Sequence, residues 1–159
     1  TVIVFADNYV TFDLKEILEF HRSHQKPFSL GLFESPHPEQ CGIVQLDDEM
    51  NVIEFIEKPI EPKGNMAFAG IAVCSPPGFY ELQNVLGNRY PPLDFGKDAL
   101  PLLIDQMKGY LFKGALIDIG TPHSYYLAQK KHQQISSNPI KDDKAWMQLF
   151  DFEQNEINE

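Results

Sequence analysis

Residues 1–7, TVIVFAD, form an almost unbroken apolar run that ends in an acid. β-Branched and aromatic side chains without alternation suit a strand covered on both faces, as in a parallel sheet. A helix with clear start signals follows. Asp13 is placed to cap it, Glu16 completes a capping-box-like pair, and Phe12 with Ile17 occupy staple positions. Leu14, Ile17, Leu18 and His21 recur at helical spacing on one face, and Pro27 ends the segment. Residues 28–33 read as a second strand. Strand, helix and strand in this order predict a layered α/β architecture. The chain opens at Thr1 inside the first apolar run, so a fragment or a processed chain is expected.

The remaining elements follow from the same signals. Residues 34–40 form a polar, proline-broken loop, 42–46 and 52–57 read as strands around a turn-rich 47–51, and 67–74 reads as another strand. Ser75-Pro76 starts a second helix with Phe79, Leu82, Val85 and Leu86 inward and Gly87 closing it. Residues 88–97 read as a loop. Asp98 is expected to cap a third helix carrying Leu100, Leu103, Ile104 and Met107, with Pro101 in its first turn and Gly109 as its stop. A last strand falls within 110–119, and Thr121-Pro122 opens a final helix reaching about residue 134. From 138 onward the chain is polar and acidic, interrupted by Trp146, Met147, Leu149, Phe150, Phe152 and Ile157. The expected division is therefore a body at 1–137 and an acidic extension at 138–159, with a docked amphipathic helix and a loose extension both fitting the latter.

Length and charge narrow the partners. A chain of 159 residues fits one domain with a sizeable core, and 43% hydrophobic against 23% charged residues argues against wholesale disorder. Thirteen Lys+Arg against 23 Asp+Glu give a formal net charge of −10, which disfavours phosphate backbones and anionic membrane surfaces. Neither a nucleic-acid nor a membrane partner is expected. No apolar run approaches the roughly 20 residues of a membrane span. No basic segment precedes an apolar core, so no secretory leader is expected. Cys41 and Cys74 lie far apart without CxxC spacing, which points away from a disulfide scaffold or zinc knuckle and towards a reducing cytoplasm.

Three groups of residues can carry chemistry. Asp7 closes the first apolar run and Asp118 lies near the end of the last one. In an open α/β sheet, ligands bind beyond the carboxyl ends of strands. Two acids meeting there repel unless a cation lies between them, and hard oxygen donors with substrate phosphates select Mg²⁺. From spacing alone, a turn after its strand is the favoured role for each acid. Glu57-Lys58-Pro59 ends a strand; Glu57 can accept from sugar hydroxyls and Lys58 can meet a phosphate, while a solvated surface pair is the plainer alternative. Gly42, Gly70 and Gly120 sit in or beside strands, where glycine marks a bulge, a close backbone approach or tight packing. His21 and His24 lack an accompanying carboxylate motif and read as structural or exposed.

In order, FADN (5–8), DLKEILEFHRSHQ (13–25), CGIVQLDDEMNVIEFIEKP (41–59), FAGIAVCSP (68–76), KDALPLL (97–103) and IDIGTPHSYYLAQ (117–129) resemble the sugar-1-phosphate nucleotidyltransferases, or NDP-sugar pyrophosphorylases. The likeness covers about residues 1–132. It implies an incomplete Rossmann-like α/β domain whose mixed, mostly parallel sheet is flanked by helices. It also implies a reaction in which the phosphate of a sugar 1-phosphate attacks the α-phosphate of a nucleoside triphosphate, releasing pyrophosphate. By matched position Asp7 and Asp118 would hold Mg²⁺, Glu57 would read sugar hydroxyls, Lys58 would contact the sugar phosphate, and Gly42 and Gly70 would admit the sugar to the main chain. The catalytic set on this reading is Asp7, Lys58 and Asp118. The chain departs from the family pattern at Ala6, Cys41 and Phe68, and it carries no Gly-rich, Arg-bearing loop for the triphosphate.

Three functions follow. The first is the sugar-binding portion of a nucleotidyltransferase, inactive by itself, with an apolar sheet edge at residues 2–5 that favours homo-oligomerisation. The second is a non-catalytic sugar-phosphate-binding or regulatory module that kept the fold. The third is an acidic interaction protein that docks through Trp146, Phe150 and Phe152. The sugar and the base stay open, with guanylyl-transferring members nearest by general impression.

Overall fold

The computed structural model describes residues 1–87, 89–90 and 92–135. The expected extension at 138–159, with Trp146, Phe150 and Phe152, lies outside the described residues. The described residues divide into two compact units, one made of 1–6 and 10–116, the other of 7–9 and 117–135.

The first unit is built on a mixed sheet with strand order β5-β4-β6-β3-β7 and β1 attached to β6. Its strands are β1 (Val2–Val4), β3 (Phe28–Glu34), β4 (Gly42–Leu46), β5 (Val52–Glu57), β6 (Met66–Cys74) and β7 (Met107–Leu111). Two helices accompany it, α1 (Leu14–Arg22) and α2 (Pro76–Leu86). Asp13 caps α1, its carboxylate accepting from Lys15 N–H at 2.9 Å, and Ser75 caps α2 by accepting from Gly78 N–H at 3.3 Å. The period-2 rule then sorts β6 between two cores. Ala72 and Cys74 pack with Phe28, Leu30, Leu32, Phe55, Leu100 and Met107, and Leu82, Val85 and Leu86 of α2 close that layer. Ala69, Ile71 and Val73 pack on the opposite side with Ile17 of α1 and Phe112. Phe12 stacks on Phe112 at 3.9 Å between ring centroids.

Several expectations change; Phe79, expected on the inner face of α2, is 46% exposed. The sheet is mixed, but among the described strands only β3–β7 runs parallel; β1–β6, β3–β6, β4–β5 and β4–β6 are antiparallel. The first apolar run is not buried on both faces: among the described residues β1 pairs only with β6, and Val2 and Val4 are 43% and 52% exposed. The third helix does not form. A π turn at Phe95–Ala99, capped by Asp94, leads into 3₁₀ turns at Leu100–Leu102 and Ile104–Gln106, and Met107 already begins β7. Pro101 explains the break, since it has no N–H to donate and its ring clashes with the preceding turn of an α-helix. Leu100, Leu103 and Met107 are nonetheless fully buried, so the apolar positions hold although the element differs. Gly109 lies inside β7, where a Cβ would come within 2.5 Å of Leu32 Cδ1.

Asp7 begins the segment leading to β2 (Asn8–Val10), which pairs with β8 (Leu116–Asp118); the second unit holds Asn8 and Tyr9 of β2, Ile117 and Asp118 of β8, and α3 (Pro122–Ile135). Within it Tyr9 Oη meets His132 Nδ1 at 2.9 Å. Among the described residues no helix is long and apolar enough to cross a membrane.

Candidate functional site

The Glu57–Lys58 corner is built by the β4–β5 pair, which sets Gly42 directly across from Glu57. A Cβ on Gly42 would lie 2.7 Å from Glu57 Oε2 and 2.6 Å from Phe55 Cζ. A Cβ on Gly96 would lie 2.9 Å from the same carboxylate oxygen and 3.4 Å from Asp94 Oδ1. The Glu57 carboxylate is therefore seated between two glycines from distant parts of the chain. Burial pushes its pKa up; Lys58 and Lys97 pull it down, and Asp94 adds to the rise. Three neighbouring charges thus act at one half-buried carboxylate, the combination that lets an acid accept from hydroxyls while cations face a phosphate.

Lys58 turns the chain out of β5 with φ of 46°, a left-handed conformation, and its N–H donates to Cys41 O at 3.0 Å. Such backbone in a non-glycine residue costs about 1 kcal/mol or more and gathers at functional sites. Phe68, one of the departures from the family pattern, is an aromatic hub: its ring centroid lies 5.6 Å from that of Phe5, 6.3 Å from Phe55 and 6.4 Å from Phe95. Gly70 has φ of 68° at the bulge where β3 shifts register between Leu30 and Leu32, and its carbonyl accepts from Phe5 N–H at 2.8 Å. Its visible job is backbone conformation.

The family resemblance grouped Gly42 with Glu57 and Lys58 but gave no sign of Asp94, Gly96 and Lys97. The available signal was the Asp94-Phe95-Gly96-Lys97 stretch, an N-capping acid with a glycine inside the turn it caps; Asp94 Oδ1 accepts from Lys97 N–H at 2.8 Å.

The other two predicted residues lie in the second unit. Ile119 N–H donates to Asp7 O at 2.7 Å, so Asp7 and Asp118 sit on neighbouring backbone segments. Both are exposed. Asp118 Oδ1 accepts from Gly120 N–H at 2.7 Å, and a Cβ on Gly120 would come within 2.9 Å of that oxygen. Thr121 then caps the start of α3, its Oγ1 accepting from Ser124 N–H at 3.1 Å. Among the described residues no three His, Cys, Asp or Glu side chains gather as a cation cage. Two carboxylates are what this segment offers, and their hard oxygens fit Mg²⁺ completed by water and substrate phosphates.

A nucleotidyl transferase family model matches residues 1–135. The chain belongs to that family. A glucose-1-phosphate adenylyltransferase from Geobacillus stearothermophilus is 30% identical over 91% of this chain and 39% of its own length. One from Bacillus cytotoxicus is 35% identical over 80% of this chain and 35% of its own. The chain thus spans about two fifths of the length of the curated relatives it matches. A crystal structure described as a glucose-1-phosphate thymidylyltransferase from Bacillus anthracis superposes with a TM-score of 0.71 at 21% identity, covering 86% of this chain and 56% of that one. That likeness shows the Rossmann-like mixed α/β fold. These two curated relatives are described as adenylyltransferases, whereas the general impression from sequence favoured guanylyl transfer.

Proposed function

We propose that these residues are the sugar-phosphate and metal-binding portion of an enzyme that transfers a nucleotidyl group from a nucleoside triphosphate to a sugar 1-phosphate. The observation that carries this reading is the Glu57 carboxylate held between Gly42 and Gly96 beside the left-handed Lys58. Glu57 accepts from sugar hydroxyls, and Lys58 meets the phosphate as a compact charge. The sugar-phosphate oxygen attacks the α-phosphorus as the bond to the pyrophosphate oxygen breaks, and positioning with charge neutralisation supplies most of the rate. Asp7 and Asp118 would hold Mg²⁺, which when bound supplies positive charge to the phosphates. Glucose 1-phosphate with ATP is the first substrate pair to try, because the curated relatives are glucose-1-phosphate adenylyltransferases.

These 159 residues hold no Gly-rich, Arg-bearing loop to cradle a triphosphate. The chain by itself is therefore expected to bind glucose 1-phosphate and to make no ADP-glucose. Calorimetry and a pyrophosphate-release assay test both halves. Turnover above a no-enzyme control refutes the inactivity, and binding that survives in both Glu57→Gln and Lys58→Gln removes the assigned corner.

A further inference from the structure

A recess of about 510 Å³ opens at the N-terminal end of β5. Asn51, on its wall, lies six residues before Glu57 along an extended strand, so the recess is about 20 Å from the Glu57 corner at roughly 3.3 Å per residue. Three basic groups meet there: Lys26, Lys108 and His24. The Lys26 ammonium donates to the Asp105 carbonyl, and that of Lys108 donates to the Glu49 carbonyl at 2.7 Å. Main-chain oxygens hold both lysines. Among the described residues neither makes an ion pair with a carboxylate. Both lysines are half-buried, while Glu49 and Asp105 are exposed at the rim. The two ammoniums share the recess with the Glu49 and Asp105 side chains, and Lys108 also helps to hold the Asp47 carboxylate below its usual range, after the bonds that carboxylate accepts from Asn51.

The wall beside them is rigidly built. His24 Nδ1 accepts from Lys26 N–H at 3.1 Å, which leaves the ring proton on Nε2 for Ser29 Oγ at 2.8 Å. Ser29, fully buried, donates its own proton to His21 Nδ1 at 2.8 Å. This one-way chain fixes the His24 ring. We propose that the recess binds the phosphate group of a small phosphorylated molecule, with the Lys26 and Lys108 ammoniums taking its oxygens and the Glu49 and Asp105 carboxylates facing any hydroxyls it carries. The assignment is independent of the Glu57 corner, since it uses none of its residues.

His24 reports on the charge of the recess. Burial, then the fields of His21, Lys108 and Lys26, hold its imidazole below the usual histidine range, against a raising contribution from the Lys26 N–H bond. An anion between the two ammoniums cancels their push, so the titration midpoint of His24 rises when phosphate binds. The experiment follows the His24 ring protons by NMR through a pH titration of the 159-residue chain, in inorganic phosphate and in chloride at equal ionic strength. The expected result is a saturable shift and a higher midpoint in phosphate. The response weakens at least about tenfold in Kd in the double variant Lys26→Gln/Lys108→Gln, as loss of charge-assisted bonds requires. It persists in Lys26→Arg/Lys108→Arg and in Lys58→Gln. An unmoved His24 in the wild-type chain overturns the proposal whether or not the variants fold, as does an undiminished response in a folded Gln/Gln variant.

Discussion

Replacing Gly42 by Ala tests the corner with a single methyl group. The added Cβ would lie 2.6 Å from Phe55 Cζ and 2.7 Å from Glu57 Oε2, inside contact distance of both. Phe55 is 4% exposed and belongs to the core, so its ring has little room to retreat. Overpacking of this kind costs about 1–3 kcal/mol. The softer neighbour is the Glu57 carboxylate, which is half-buried and ends a flexible side chain; most of the accommodation is expected to come from its displacement. If that carboxylate reads sugar hydroxyls, glucose 1-phosphate affinity should fall at least tenfold, which corresponds to about 1.4 kcal/mol. Gly31→Ala is the control, because its Cβ would meet Phe112 Cε2 at 2.4 Å and Ile71 O at 3.2 Å, away from Glu57. Urea unfolding and calorimetry on both variants separate the effects: both lose stability, and Gly42→Ala alone loses affinity. Gly42→Ala that binds glucose 1-phosphate as tightly as the parent refutes the reasoning.

The contrast between these two glycines shows where sequence reading stops. Capped helices and apolar strands are local signals, and Asp13, Ser75 and the runs at 28–34, 42–46, 52–57 and 66–74 appear where residue chemistry puts them. Glu57, Lys58 and Gly42 were singled out and grouped through the resemblance to the nucleotidyltransferases, whereas the register that sets Gly42 across from Glu57 belongs to the β4–β5 pair and was not read from the sequence. Gly96 and Asp94 were not singled out. They reach Glu57 only after a proline-interrupted segment has folded back, and nothing near residue 94 announces that return. The exposure of Val2 and Val4 was hidden for a similar reason. An apolar run states that a strand prefers cover, but the number of neighbours it acquires is a property of the sheet. His21 and His24 illustrate the converse: absence of a metal motif pointed to a structural role, and their shared partner Ser29 supplies one.

Two further predictions concern surface and pH. Among the described residues β1 pairs only with β6 and exposes Val2 and Val4, an apolar edge of the kind that recruits another strand. The chain is expected to dimerise at high concentration by light scattering, and Val2→Lys/Val4→Lys is expected to be monomeric; a monomer throughout in the parent refutes this. The second prediction is a loss of stability in mild acid. Burial holds the imidazoles of both His21 and His24 below the usual value, while in the unfolded chain each takes up a proton near pH 6.5. Between that pH and the lower folded values the unfolded state binds more protons, so stability is complete above about 6.5 and falls as pH drops through the window. The structure gives the same sign by geometry. A proton on His24 Nδ1 expels the Lys26 N–H, and one on His21 Nδ1 leaves the Ser29 hydroxyl proton without its acceptor. Urea midpoints at pH 7.5 and 5.5 should therefore differ in the parent, and His21→Gln/His24→Gln should narrow the difference. An equal pH dependence in that variant would assign the acid sensitivity to groups outside the chain Lys26–His24–Ser29–His21.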